Sequence, residues 1–334
     1  MLTLFSIPKT FKGHTGVIQR NAIESWTKLE PRPEIILLGN DEGTMELARG
    51  LGLRHLPNVA RSDHGTPLLG DLFRQAEAAA TWPCMCYVNA DIILLSDFLR
   101  AAEIVQRRFS KSLLISKRIN VDIAEKLNFE ERWGEAIKLR ASATGKDEHY
   151  TGIDVFVFPK GMYPQIPDFA IGRLWFDHWL IKAVREQNLP VVDASLVAPV
   201  LHQNHDYGHV AGGKEQVWRG EEAERNFQLY GGVEHAYTLL DVTHELTPDG
   251  GIRRVHFRKS LFKIRQIAWE IFVRRTATIR KVLGLRRELR QTMASSDPGI
   301  DRELSKERFP EEQELRGLPR SAGSDLASRP IDEI

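Results

Sequence analysis

The chemistry-bearing residues of this chain sit where apolar runs stop. Cys84-Met85-Cys86-Tyr87-Val88 gives way to Asn89-Ala90-Asp91 before Ile92-Ile93-Leu94 resumes. Side chains two apart in extended chain project to the same side, so Asn89 and Asp91 share a face. A carboxylate placed between apolar runs needs compensation, and a divalent cation carrying a phosphate is one form of it. Asp91 as a turn cap, with Asn89 serving backbone groups, is the competing reading. A second cluster, Leu201-His202-Gln203-Asn204-His205-Asp206-Tyr207-Gly208-His209, holds three imidazoles within eight positions. Neutral imidazole is a common metal ligand. The spacing fits no zinc signature, so a metal role and a plain polar loop both stand. Asp177, set among Trp175, Phe176, Trp179 and Leu180, suits a general base. An acid complementing a helix N-terminus is its alternative.

These residues need a scaffold, and the first 200 positions supply one pattern. Short apolar runs alternate with helix-period segments, as in a mostly parallel sheet covered by helices. Strands are expected at Leu2 to Ile7, Glu34 to Leu38, Leu53 to Leu56, Cys84 to Val88, Leu113 to Ile115, Ile153 to Phe158 and Pro190 to Asp193. Ile18, Ala22, Trp26 and Leu29 recur at helical spacing. Thr66 and Pro67 have the types of an N-cap and a first helical residue, and a further helix is expected from Arg173 to Gln187. Residues 120 to 150 read as a loop and helix excursion. In open α/β sheets, ligands bind beyond the carboxyl ends of the strands. Ser6-Ile7-Pro8-Lys9, Gly39-Asn40-Asp41 and Asn89-Ala90-Asp91 occupy such ends.

Several function classes fall away. No Gly-x-Gly-x-x-Gly follows the first strand, and neither a P-loop nor a Gly-x-Ser-x-Gly elbow is present. Two cysteines exclude a disulfide framework. Cys84 and Cys86 read as small core residues within a strand.

Taken in order along the chain, these edges resemble the GT-A superfamily of nucleotide-sugar-dependent glycosyltransferases, across about residues 1 to 240. Ser6-Ile7-Pro8 stands after the first strand, Asn40-Asp41 after the second, and Asn89-Ala90-Asp91 at the place of the family's Asp-x-Asp motif. The resemblance implies a GT-A-type, Rossmann-like α/β fold with a mostly parallel sheet flanked by helices. It implies that Ser6, Pro8, Lys12, Asn40, Asp41, Asn89 and Asp91 bind a nucleotide-diphosphate sugar. Asp91 with His205 and His202 would hold Mn²⁺ or Mg²⁺. Asp177 would act as the catalytic base toward a hydroxyl acceptor, glycan or lipid-linked, with inversion. Asn89 departs from the motif's first acid, which keeps open a module that binds nucleotide or glycan without turnover. A sugar nucleotidyltransferase is disfavoured, because its Gly-rich N-terminal phosphate loop is missing.

Charge divides the chain further. Residues 253 to 290 carry 13 basic residues and two acidic ones, beside an overall net charge of +1. Such segregation marks an interaction element. The expected domains are 1–245, catalytic; 246–290, a basic amphipathic helical extension; and 291–334, a disordered tail rich in Ser, Pro, Glu and Arg. Phe257, Leu261, Ile264, Ala268 and Ile271 recur at helical spacing, so the extension suits an anionic membrane surface. Packing against its own domain is equally open. Residues 1–252, with 27 basic and 33 acidic residues, form an acidic body that disfavours nucleic acid. With neither a signal-peptide core nor an apolar run of spanning length, the expectation is a cytoplasmic protein, peripheral to the inner membrane face.

Overall fold

The computed structural model describes residues 1–148, 150–206, 213–232 and 236–255. All of them belong to one compact unit, Met1–Ile271. The extension beyond Val255 and the tail expected at 291–334 lie outside the described residues.

In chain order the first half comprises β1 (Leu2–Ser6), α1 (Gly13–Thr27), β2 (Glu34–Leu38), α2 (Thr44–Leu51), β3 (Arg54–Leu56), α3 (Leu69–Ala79), β4 (Cys84–Val88), β5 (Ile92–Ile93) and α4 (Ser96–Arg108). Next come β6 (Leu113–Val121), α5 (Trp133–Thr144), β7 (Lys146–Asp147), β8 (Ile153–Pro159), α6 (Phe176–Glu186), β9 (Val191–Asp193) and β10 (Val200–Gln203). The remaining elements are α7 (Gly213–Arg219), α8 (Glu221–Tyr230), β11 (His244–Leu246) and β12 (Ile252–Arg254). Arg253 and Arg254, the first basic residues of the expected helical extension, are therefore in a strand.

This is an α/β fold built on a large, mostly parallel sheet with helices on both faces. The sheet runs β12-β11-β9-β6-β8-β4-β1-β2-β3. β1 is parallel to both β2 and β4, while β8 is antiparallel to β4 and β6. β10 leaves this path to pair in parallel with the far end of β6 and antiparallel with β5.

Alternation along the central strands distributes the core. Leu2, Leu4, Cys84, Cys86 and Val88 face one side, against Ala22, Ile23 and Trp26 of α1 and Phe98, Ala101 and Val105 of α4. Phe5, Met85 and Tyr87 face the other, against Leu72 and Phe73 of α3 and Leu180, Ile181 and Val184 of α6. Phe73 stacks on Phe158 with centroids 5.4 Å apart and 5° between planes. Such aromatic pairs add ~0.5–1.5 kcal/mol beyond their burial. Both cysteines are free and buried, and burial pushes the Cys84 thiol up to about 12.

Three boundaries differ from the expectation, each for a visible reason. β6 continues past Ile115 because its polar residues find acids: Lys117 Nζ reaches Asp147 at 2.7 Å, and Arg118 reaches Asp154 at 2.9 Å. α3 starts at Leu69, because the Thr66 hydroxyl donates to Glu222 at 2.7 Å instead of capping a helix. α6 starts at Phe176 rather than Arg173, because Trp175 adopts a left-handed φ of 89°. No described helix is long and apolar enough to cross a membrane.

Candidate functional site

β1 lies between β2 and β4, so the chain leaves β1 toward one side and returns to pair on the other. A crevice opens at such a reversal, beyond the carboxyl ends of the two strands. Here it is a cleft lined among others by Lys9, Tyr87, Asn89, Asp91, Asp154, Asp177 and His205. A second, outer recess lined by Lys12, His14, Asp41 and Asp206 shares Lys9, Thr15 and His205 with it.

The loop after β1 is fixed through its backbone. Gln19 on α1 is buried; its Oε1 accepts from Lys9 N at 2.7 Å and its Nε2 donates to Lys9 O at 2.8 Å. Phe11 wedges against Gly43, where an added Cβ would meet the Phe11 Cβ at 2.7 Å. Gly43 also has φ 92°, which favours glycine on a second ground. Burial lowers the Lys9 ammonium from its ordinary value, against the opposing pull of Asp91.

At the end of β4, Ile92 N donates to Asn89 O at 3.1 Å and closes the turn that carries Asp91. β10 holds this turn from the other side. The fully buried Gln203 donates Nε2 to Asp91 O at 3.0 Å and to Ile18 O at 2.7 Å, and its Oε1 accepts from Asn21 at 3.0 Å. His202 and His205 flank that anchor. His205 Nε2 lies 3.1 Å from Asp91 Oδ2, and His202 Nε2 lies 3.9 Å from it. One ligand atom from each of Asp91, His202 and His205 falls within 4.8 Å of the other two.

The electrostatics of this trio suit a cation. Burial would raise Asp91, but the His205 hydrogen bond and the charges of His202, His205 and Lys9 outweigh it and hold the carboxyl well below its ordinary range. Burial lowers His202 despite Asp91 nearby, which favours the neutral, ligating imidazole. His205 is raised, chiefly by its hydrogen bond to Asp91. Asp91 Oδ1 and His202 Nδ1 are buried without a hydrogen-bond partner. Buried polar atoms are ordinarily satisfied, and an orphan costs ~1–3 kcal/mol. An unsatisfied carboxylate oxygen on the residue that meets two imidazoles makes a donor set that fits a divalent ion.

Asp177 is in the first turn of α6 and lines the same cleft; its Oδ1 accepts from His178 N at 2.9 Å. It follows Trp175, whose backbone is left-handed and whose ring packs against those of Phe227 and Tyr230 at centroid distances of 4.9 and 5.2 Å. Positive φ in a bulky residue costs ~1–3 kcal/mol and collects at functional sites.

The remaining nominated residues lie further out or deeper. Asn40 Oδ1 and Asp41 Oδ2 both accept from Arg61 Nη2, at 3.0 and 2.8 Å. Lys12 is exposed and paired with Glu42 at 2.6 Å. Ser6 is buried at the end of β1 with its Oγ unpartnered, and Pro8 is buried beside it. The fold thus brings Asn89, Asp91, His205 and Asp177 to one cleft, with Asp41 and Lys12 in the outer recess. Sequence reasoning missed Gln203, Asp154 and Arg61. Gln203 sits inside the nominated His cluster, and Asp154 is a lone charge within the apolar run Ile153 to Phe158; Arg61 carries no local signal.

No family model matches the chain, and no curated protein matches it. Solved structures do. TarS from S. aureus in complex with UDP-GlcNAc is matched at 13% identity and TM-score 0.41, over 61% of this chain and 59% of that one. Glucosyl-3-phosphoglycerate synthase from Mycobacterium tuberculosis, in complex with Mn²⁺, UDP and phosphoglyceric acid, is matched at 15% identity and TM-score 0.38, over 61% and 71%. This chain therefore spans less than two thirds of the TarS chain. At these scores the likeness is loose, and it fixes neither activity nor ligand.

Proposed function

We propose that the chain is a divalent-metal-dependent glycosyltransferase of the GT-A type, moving a sugar from a nucleotide diphosphate to a hydroxyl acceptor. One observation carries the reading: Asp91, His202 and His205 converge within 4.8 Å at a switch-point cleft that Asp177 also lines. An ion held by those three residues would supply Lewis-acid stabilisation of the charge that builds on a leaving diphosphate. Two imidazoles and one carboxylate suit a transition metal better than Mg²⁺, which prefers oxygen donors. Imidazole donors by themselves favour Zn²⁺ or Fe²⁺ over Mn²⁺, so Mn²⁺ is the ion proposed on the GT-A reading and not on the donor set.

The chain's own residues supply the rest. Gln203 fixes the Asp91 backbone and Gln19 fixes the Lys9 backbone, so the main chain carrying each charged side chain is set before a ligand arrives. Lys9 adds positive charge for phosphate within the inner cleft. Asn40, Asp41 and Arg61 form a polar edge for the nucleoside, with Ser6 and Pro8 at the base of the β1 edge and Lys12 at the outer rim. Asp177 takes the proton from the acceptor hydroxyl as it attacks, a contribution of ~10²–10⁴ in rate. Attack from the face opposite the leaving group inverts the anomeric centre. The acceptor is proposed to be glycan or lipid-linked. If residues 253–290 bring the protein to a lipid-linked acceptor, co-sedimentation with anionic liposomes falls when they are deleted, and an unchanged bound fraction ends that part.

The test is a panel of nucleotide sugars with purified protein and Mn²⁺. Nucleotide diphosphate should be released from one member, stop with EDTA and return with added Mn²⁺. Release that ignores EDTA contradicts the metal role. Tight nucleotide binding without release from any member would favour the non-catalytic module.

A further inference from the structure

Asn89 stands where the resemblance expects an acid, and β8 explains why it is an amide. Val88 pairs with Val155 across the antiparallel β4–β8 ladder, and Asn89 N continues it by donating to Asp154 O at 3.1 Å. The side chains meet as well: Asn89 Nδ2 donates to Asp154 Oδ1 at 2.6 Å. Arg118 Nη1 on β6 donates to Asp154 Oδ2 at 2.9 Å, and its Nη2 reaches Glu148 Oε2 at 3.1 Å. Glu148 Oε2 also accepts from Asn120 Nδ2 at 2.7 Å. Asp154 is 7% exposed, yet both it and Asn89 line the cleft beside Asp91.

We propose that Asp154 supplies, across the ladder, the carboxylate that position 89 lacks, and that Asp154 is a positioning residue which holds Asn89 with its amide nitrogen inward and its oxygen free for a ligand hydroxyl. A carboxylate at position 89 has no donor to offer. It would also set two like charges in contact, beside Glu148, with the Arg118 guanidinium already shared between Asp154 and Glu148. Asn89 is thus matched to the acid across the ladder. The ligand part of this inference rests on the proposed function; the pairing does not.

An exchange of the two side chains separates these parts. In N89D/D154N, Asn at 154 can donate Nδ2 to Asp at 89 and accept from Arg118 through Oδ1, so both hydrogen bonds survive, the one between 89 and 154 with donor and acceptor swapped. The thermal midpoint without ligand reads the pairing. Asn89→Asp should lower it by several degrees, and the exchange variant should recover most of the loss. Asn89→Asp as stable as wild type, or an exchange variant less stable than both single variants, overturns the proposal. If Asn89→Asp fails to fold, soluble exchange variant supports the pairing and an equally unfolded one overturns it.

Calorimetric titration reads the positioning. With Asp154→Asn, Mn²⁺ alone should bind as in wild type, while UDP or GDP with Mn²⁺ binds about tenfold more weakly; the exchange variant should restore most of that affinity. A general structural defect would weaken both ligands together. Unchanged nucleotide affinity in Asp154→Asn overturns the positioning role. If neither nucleotide binds wild type, the functional reading fails, and the thermal series still decides whether Asp154 and Asn89 are matched.

Discussion

Two acids stand past the ends of β2 and β4, the strands on either side of β1, and their surroundings differ. The Asp41 side chain is 28% exposed and accepts from Arg61 at 2.8 Å, with Asn40 sharing the same guanidinium nitrogen. Asp91 is 17% exposed; two imidazoles lie on one of its oxygens, and the other is buried without a partner. At the β2 edge the protein satisfies its own carboxylate. At the β4 edge the surroundings hold the carboxyl ionised and leave an oxygen unsatisfied. Burial, low proton affinity and an orphan atom together mark a place for a cation, whereas an acid at a strand end does not by itself.

The contrast can be broken from either side. The largest effect is expected for Asp91→Asn, which removes the single carboxylate among the three ligands. Mn²⁺ affinity should fall by more than ~100-fold, beyond the ~10–100-fold loss typical of outer-shell changes, while Asp41→Asn leaves it within about twofold. Titration calorimetry on both variants decides, and equal losses would erase the distinction. Asp177→Asn should reduce transfer by ~10²–10⁴ with nucleotide affinity retained; full turnover removes Asp177 from the reaction. Gln203→Met strips the Asp91 carbonyl of a buried donor. The expectation is a loss of ~1–3 kcal/mol in stability and ~10-fold in Mn²⁺ affinity, read by urea unfolding and calorimetry. Stability lost with metal affinity intact would show that Gln203 serves the core alone. Arg61→Ala should have the smallest effect, because partly exposed pairs contribute ~0.2–1 kcal/mol. Its stability should barely change in urea, and Mn²⁺ affinity should not move.

Much of this geometry was readable in the chain because β1, β2 and β4 are short apolar runs with abrupt polar ends. Parallel strands buried on both faces have that appearance, and the residues after them define the crevice. The partner half was harder to read. β10 is a four-residue strand after Pro199, too short to announce itself, and it finds its place through the outer half of β6. That half contains Ser116, Lys117, Arg118 and Asn120, which look like loop until Asp147, Asp154 and Glu148 are brought opposite them. The nominated trio Asp91, His202 and His205 therefore depends on a strand, β6, whose outer half is held by long-range ion pairs that local periodicity does not register. The start of α6 was misplaced for a related reason: Trp175 is held left-handed by Tyr230 and Phe227, residues far along the chain.

The most direct measurement is an anomalous difference map from a crystal soaked with Mn²⁺. The account requires a peak in contact with Asp91, His202 and His205, and its loss in Asp91→Asn crystals. Manganese bound elsewhere, or a soaked crystal in which the Asp91 carboxylate still meets only protein, would contradict it.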